Sequence, residues 1–259
     1  MRVRKSHALR LSGSVVLVTG ASSGIGHATA LTLSAQGASV ALVARGQDRL
    51  KDLAEEIIQA GGAALSVPAD ISDRIQAEAA VRMVVEHFGR LDILVNNAGL
   101  MLLGPIVGAD PQEWERMIAV NQTGLLYITH AALPYLLSAA EDSPRGVADI
   151  VNISSIAGRV AWANYGVYNM TKFGVNGFTE SLRQEVTKRH VRVGVLEPGG
   201  VDTELGSHNC GSMRESIQAF YETHEVLRAA DIADGVAYMV TRPRHISISE
   251  LWIMPTDQV

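Results

Sequence analysis

Val15-Val16-Leu17-Val18-Thr19-Gly20-Ala21-Ser22-Ser23-Gly24-Ile25-Gly26 is the stretch on which the reading of this chain turns. Four apolar residues, three of them β-branched, form a buried strand, and a helical pattern begins within eight residues of its end. Glycines between strand and helix let the backbone turn tightly and approach a pyrophosphate, which then rests on the N–H groups of the helix N-terminus. The same glycines would also suit an ordinary turn. Their place at the end of the first strand of a βαβ unit favours a nucleotide, with Gly20, Ser22, Ser23, Gly24, Ile25 and Gly26 as its cradle.

Outward from this unit, short β-branched runs alternate with helical patterns, which is how a parallel sheet is written. Strands are expected near 14–19, 39–44, 63–68, 91–95, 147–153, 191–197 and 247–253. Their nearly unbroken apolar character (Val40-Ala41-Leu42-Val43, Ile93-Leu94-Val95) means that both sheet faces are covered. Helices are expected at about 25–36, 47–60, 73–88, 111–138, 165–188 and 230–241, with Gly37, Gly61-Gly62 and Gly89 at C-caps. Glu141–Gly146 reads as a surface turn and Asp202–Val226 as a long loop. The fold expected is one α/β domain over residues 12–259, a doubly wound, mostly parallel seven-stranded sheet with helices on both faces. Residues 1–11 read as a basic leader without fixed structure.

The 259 residues are 47% hydrophobic and 19% charged, which suits one domain with a substantial core. A net charge of −5 argues against nucleic acid or an anionic membrane as main partner. The sole cysteine, Cys210, excludes an internal disulfide and points to the cytoplasm. Arg2, Arg4, Lys5 and Arg10 precede an apolar run too short for a signal peptide. No histidine stands at metal-ligand spacing, so no metal is expected; His87, His130, His190, His224 and His245 read as surface residues.

The second strand ends Val43-Ala44-Arg45. An enzyme using NAD usually has an acidic residue here to accept from the adenosine ribose. Ala44 stands in that place, and the guanidinium of Arg45 can clamp the 2′-phosphate of NADP. NADP(H) is therefore expected in preference to NAD(H). The bland alternative is a solvated arginine at the start of a helix.

Tyr168 and Lys172 are spaced i, i+4, so both polar tips leave one helix face. Thirteen residues before Tyr168, Ser155 follows the strand Val151-Asn152-Ile153-Ser154. Ligands of open α/β sheets bind beyond the carboxyl ends of strands, where that serine must lie.

The Thr19–Gly26 motif, Asn96-Asn97-Ala98-Gly99, Asn121, Ser155, Tyr168/Lys172 and Pro198-Gly199 together resemble the short-chain dehydrogenase/reductase family, from about residue 12 onward. Met101–Pro105, Arg183–Val186, Asp202–Leu205 and Pro255–Val259 are similar to a subgroup, the clavulanic acid dehydrogenase-like NADPH-dependent reductases. The resemblance implies Tyr168 as general acid in reduction and base in oxidation, helped by Lys172, which also holds the nicotinamide ribose. It implies Ser155 as hydrogen-bond donor to the substrate oxygen and Asn121 as anchor of a proton-relay water. Asp70 and Ile71 would meet adenine, Asn97 the adenosine-side ribose, and Val201 and Thr203 the nicotinamide and its carboxamide, with Ala98, Gly99, Pro198 and Gly199 also in contact with the cofactor. Asp70 could instead cap a helix.

The expected activity is hydride transfer between NADP(H) and a carbonyl or alcohol of a small, moderately hydrophobic molecule, because Trp162, Met213 and Tyr221 are available to the pocket. The rival is a nucleotide-bound sensor or scaffold without chemistry, which would be expected to lack one of Ser155, Tyr168 and Lys172. A nucleotide-sugar epimerase would need a larger domain after Pro198. Apolar residues on more than one face of 111–138 and 165–188 (Leu125, Leu126, Leu133, Leu136, Phe173, Val175, Phe178) point to self-association. The family resemblance makes that a homotetramer, with a dimer as the fallback.

Overall fold

The computed structural model describes residues 9–258. Seven strands form one sheet: β1 (Val15–Thr19), β2 (Ser39–Ala44), β3 (Ala63–Pro68), β4 (Ile93–Asn96), β5 (Ala148–Ile153), β6 (Val191–Pro198) and β9 (Glu250–Ile253). They lie in the order β3-β2-β1-β4-β5-β6-β9, and every pairing is parallel. The intervening β7 (Val201–Asp202) and β8 (Leu227–Arg228) pair only with each other. The chain order reverses between β1 and β4, so the crevice at their carboxyl ends is where such a sheet takes a ligand.

Three helices cover each face. On one side lie α1 (Gly24–Ala35), α2 (Gln47–Gln59) and α8 (Ala229–Val240); on the other lie α3 (Arg74–Phe88), α5 (Leu125–Asp142) and α6 (Gly166–Val186). The first three helices bury one stripe each at the same spacing: Gly26, Thr29, Ala30, Leu33; Leu50, Leu53, Ala54, Ile57; and Ala77, Ala80, Val81, Val84. That i, i+3, i+4, i+7 pattern is the helical period written directly into packing. Truncating a fully buried leucine such as Leu33 or Leu42 to alanine would cost about 2–5 kcal/mol.

The structure departs from the sequence reading in four places. Residues 111–138 are not one helix: α4 (Pro111–Ile118) passes into a π-helical turn (Ala119–Gly124) and then α5, which runs on to Asp142. Asp202–Val226 is not a loop but holds a 3-10 turn (Glu204–His208) and α7 (Gly211–Thr223). The last strand starts at Glu250 instead of residue 247. The ordered domain starts before residue 12, since Leu11 is fully buried and its N–H donates to Gln36 O at 3.0 Å. Residues 1–8 of the expected leader lie outside the described residues.

Candidate active site

The cleft lies at the carboxyl ends of the strands and measures about 1260 Å³. Every predicted site residue except Gly26 and Asn121 lines it.

At the nucleotide end, Gly20 has φ +66°, and a Cβ there would come within 2.8 Å of Ala98 Cα. Gly26 serves packing: a Cβ on it would run into the carbonyl oxygen of Gly20, so only glycine lets α1 lie this close to the loop. Thr19 Oγ1 accepts from the N–H groups of Asn97 (3.0 Å) and Ala98 (3.1 Å), joining the ends of β1 and β4. Asn97 spends its side-chain amide on Thr19 O at 2.9 Å and Gly20 O at 3.3 Å, and so braces the glycine loop. Ser23 at the N-cap of α1 makes no side-chain capping bond. The first N–H groups of α1 are therefore not claimed by that serine and border the cleft, an arrangement suited to an anion. The glycine cradle and these donors fit a dinucleotide pyrophosphate.

Further along the wall, Arg45 is exposed and its guanidinium has no partner among the described residues. Arg49, which sequence reasoning missed, pairs with Glu204 at 2.9 Å, spanning from α2 to the turn after β7. Asp70 accepts from Ser72 N (3.0 Å) and Ser72 Oγ (2.6 Å). The cap of α3 is Asp73, whose carboxylate accepts from Gln76 N at 3.0 Å, so Asp70 borders the cleft without capping.

At the other end, Tyr168 and Lys172 are buried side by side on α6, with the ammonium 5.7 Å from the Tyr168 ring centre. Lys172 Nζ donates to Ile153 O at 3.0 Å. Burial pulls its pKa down to about 8. Burial also raises the Tyr168 phenol well above its ordinary value, offset in part by a hydrogen bond with Ser155. Ser155 Oγ accepts from Ala157 N at 3.1 Å, which holds its hydroxyl beside the Tyr168 phenol at the cleft.

Buried polar chains hold these groups in place. Asn96 Nδ2 donates to Thr129 Oγ1 (2.9 Å) and Asn152 Oδ1 (2.8 Å), and Asn152 Nδ2 donates to Thr179 Oγ1 (2.8 Å), tying β4, β5, α5 and α6 together beneath the site. Asn169 Nδ2 donates to Ala157 O (2.6 Å) and Val160 O (2.7 Å), fixing the turn after Ser155 against α6. Asn121 stands behind the cleft in the π-helical turn. It accepts from Leu100 N at 2.7 Å and donates to Leu100 O at 2.8 Å and Thr171 Oγ1 at 3.1 Å. A π-turn disrupts the regular ladder and is common at functional sites, so the helix break and the special asparagine are one feature.

The far wall is apolar and aromatic. Leu100–Leu103, Met117, Ala157 and Tyr168 form a small cluster against which Tyr165, Leu205, Met213 and Ile217 rest. His224, expected on the surface, borders the cleft and stacks on Phe220 at 4.4 Å. Asp257 and Gln258, missed from the sequence, border it too. The arrangement offers a buried phenol, a neighbouring cation and a hydroxyl beside a largely apolar wall.

A family model described as short chain dehydrogenase matches residues 14–211. The chain is 35% identical over 246 residues to an uncharacterized oxidoreductase of Staphylococcus epidermidis, covering 95% of this chain and 99% of that protein. Among solved structures, a metagenomic short-chain oxidoreductase in complex with NADP is 35% identical with a TM-score of 0.80, over 95% of this chain and 99% of that one. The 3-ketoacyl-(acyl-carrier-protein) reductase from Brucella melitensis complexed with NADH is 31% identical with a TM-score of 0.83, over 93% and 97%.

Proposed function

The chain belongs to the short-chain dehydrogenase family of oxidoreductases, and from that premise we propose that it transfers hydride between NADP(H) and a carbonyl or alcohol of a small, moderately hydrophobic molecule. The observation that carries this reading is the convergence of Ser155, Tyr168 and Lys172 on the cleft that also holds the glycine loop. A sensor or scaffold would have no need of a buried lysine beside a buried tyrosine.

When bound, the nicotinamide supplies or takes the hydride. In reduction, Tyr168 Oη, kept protonated by burial, gives its proton to the carbonyl oxygen as negative charge develops there. Ser155 Oγ donates to the same oxygen and stabilises it electrostatically. The Lys172 ammonium offsets the phenolate left on Tyr168. In oxidation the phenolate takes the proton back. Asn121, held by Leu100 and Thr171, sets the turn behind Lys172 and fits an anchor for a relay water. Gly20, Ser22, Ser23, Gly24 and Ile25 cradle the pyrophosphate. Asp70 and Ile71 take the adenine side, Ala98 and Gly99 the ribose, and Pro198, Gly199, Val201 and Thr203 the nicotinamide end. Leu126, Met170 and Phe173 remain exposed on α5 and α6 and support self-association, which we take to be a homotetramer with a dimer as the fallback. No helix among the described residues is long and apolar enough to cross a membrane, and the single cysteine supports a cytoplasmic setting.

Solved relatives carry either cofactor, so preference rests on Arg45. A guanidinium–phosphate hydrogen bond is worth roughly 1.5–3 kcal/mol, so Arg45→Ala should weaken NADPH about ten- to a hundredfold and leave NADH nearly unchanged. Ala44→Asp with Arg45→Ala should reverse the preference. The check is kcat/KM for both cofactors; equal losses for NADPH and NADH would assign Arg45 to the fold, and a wild-type preference for NADH would overturn NADP.

Helix α7 has no fully buried residue, yet Met213, Ile217, Phe220 and Tyr221 border the cleft from it. Such a helix is expected to gain hydrogen-exchange protection when NADP⁺ and substrate are both bound. Unchanged exchange over 211–223 would make it a fixed wall.

A further inference from the structure

The loop Gly199–Gly200–Val201, which ends β6 and lines the cleft, is held from two sides. Gly199 N donates to Ile253 O at 2.8 Å, and Leu227 N donates to Gly200 O at 3.0 Å. Tyr221 Oη donates to Val201 O at 3.1 Å. A further donor of the loop, Gly200 N, goes to a side chain far along the chain: Gln258 Oε1, at 2.7 Å. Gln258 is fixed in turn, because its N–H donates to Pro255 O at 3.2 Å across a turn that follows β9. Its neighbour Asp257 accepts from Glu225 N at 3.1 Å, joining the same segment to the chain just after α7.

The fit is close. A Cβ on Gly199 would lie 2.6 Å from both Gln258 Oε1 and Pro255 Cδ, and one on Gly200 would lie 2.7 Å from Phe220 Cε1. Two consecutive glycines are thus required by what is pressed against them: Phe220 at Gly200, and at Gly199 Pro255 together with Gln258, the residue that satisfies Gly200 N. Both Asp257 and Gln258 also border the cleft.

We infer that Gln258 is a positioning residue for the nicotinamide half of the site: through Gly200 N it sets the Gly199–Val201 loop against which the nicotinamide end of the cofactor rests. The inference depends on the proposed use of a nicotinamide dinucleotide. Without this acceptor, Gly200 N is left facing the tightly packed segment unpaired, and the loop shifts to find another partner. The adenosine end of the cleft is built from β1, β2 and β4, and no hydrogen bond among the described residues joins it to the Met254–Gln258 segment, so the two halves of the ligand should feel the change differently.

The test compares Gln258→Leu, which removes the acceptor at similar size, with Gln258→Glu, which keeps an oxygen at the same reach. Two probes are titrated against each protein: NADPH, and 2′,5′-ADP, which carries the adenosine half and the phosphate without nicotinamide. Gln258→Leu should weaken NADPH roughly two- to tenfold, the range of one hydrogen bond, with 2′,5′-ADP affinity unchanged. Gln258→Glu should restore most of the NADPH affinity. Unaltered NADPH affinity in Gln258→Leu overturns the positioning role, as does equal weakening of both probes, which would mark a general loss of structure. Wild-type protein that binds 2′,5′-ADP as tightly as NADPH also overturns it, since no nicotinamide contact would then remain to be positioned. Wild-type protein that binds neither probe overturns the cofactor reading itself, and the inference falls with it.

Discussion

Tyr168→Phe is expected to lower turnover by roughly 10²–10⁴-fold while NADPH affinity stays within about twofold of wild type. The substitution keeps the ring, so the apolar cluster of Leu100–Leu103, Met117 and Ala157 retains its neighbour. What disappears is one oxygen and its proton. Burial favours the protonated phenol, so reduction begins from the donor form. No other group in the cleft combines that position with that chemistry: Ser155 is a far weaker acid, and Lys172 spends a hydrogen bond on Ile153 O. Because the glycine loop and Arg45 lie at the opposite end of the cleft, nucleotide binding does not depend on the phenol. Fluorescence titration and steady-state rates on the same preparation separate the two effects. Near-normal turnover would remove Tyr168 from the chemistry, and lost binding with lost turnover would make it a structural residue.

How far the sequence could be read depends on the physical origin of each feature. The central strands β1, β4, β5 and β6 were legible because they are buried along their whole length, so an apolar, β-branched run there reads as strand; β2 and β3 carry their expected limits, although β3 at the sheet edge is partly exposed. Helices α1 to α3 were legible because each buries a single stripe. The π-helical turn was not, since Ala119–Gly124 lies between two apolar helical patterns and contains no proline to interrupt them. Within that turn Asn121 bonds to Leu100 and Thr171, contacts distant in sequence that no local pattern announces. Helix α7 was hidden for the opposite reason: its apolar residues face an open cleft, with Gly206 before it and Gly211 as its first residue, and so read as loop. Asn97 illustrates a third limit. Its place on the cleft wall agrees with the motif, but its amide bonds to Thr19 and Gly20 depend on how β1 and β4 lie side by side, which spacing along the chain does not express. Gln258 escaped notice because its partner lies 58 residues away and belongs to the backbone, which leaves no sequence signal.

Lys172→Met should make the protein more stable and much less active. Lys172 is buried, and its ammonium has one hydrogen bond and no carboxylate among the described residues to balance it. Its folded-state pKa of about 8 lies below the ordinary 10.5, so folding favours the neutral amine. Below pH 8 both folded and unfolded chains carry the proton and the full cost of burying the charge is felt. Between about 8 and 10.5 the unfolded chain holds more protons than the folded one, so stability rises with pH, and above 10.5 the cost is gone. The shift corresponds to roughly 3 kcal/mol at neutral pH. A methionine leaves Ile153 O without its donor, which returns part of that, so a net gain of about 1–2 kcal/mol is expected at pH 7. Thermal melts of wild type and variant should therefore differ most at or below pH 7 and converge towards pH 10. Turnover should fall at least ~10²-fold, because the phenolate formed on Tyr168 loses its balancing charge. The wild-type rate of reduction should carry the same titration: kcat/KM for NADPH, which reports the free enzyme, should decline as pH rises through about 8. A variant less stable than wild type at pH 7, or a difference that grows towards pH 10, would show that Lys172 is held by compensating charge and would remove the basis for its proposed catalytic role. Proteins commonly give up stability where function needs an uncomfortable group, and the expected gain in Lys172→Met would place such a trade on the ammonium between Ile153 and Tyr168.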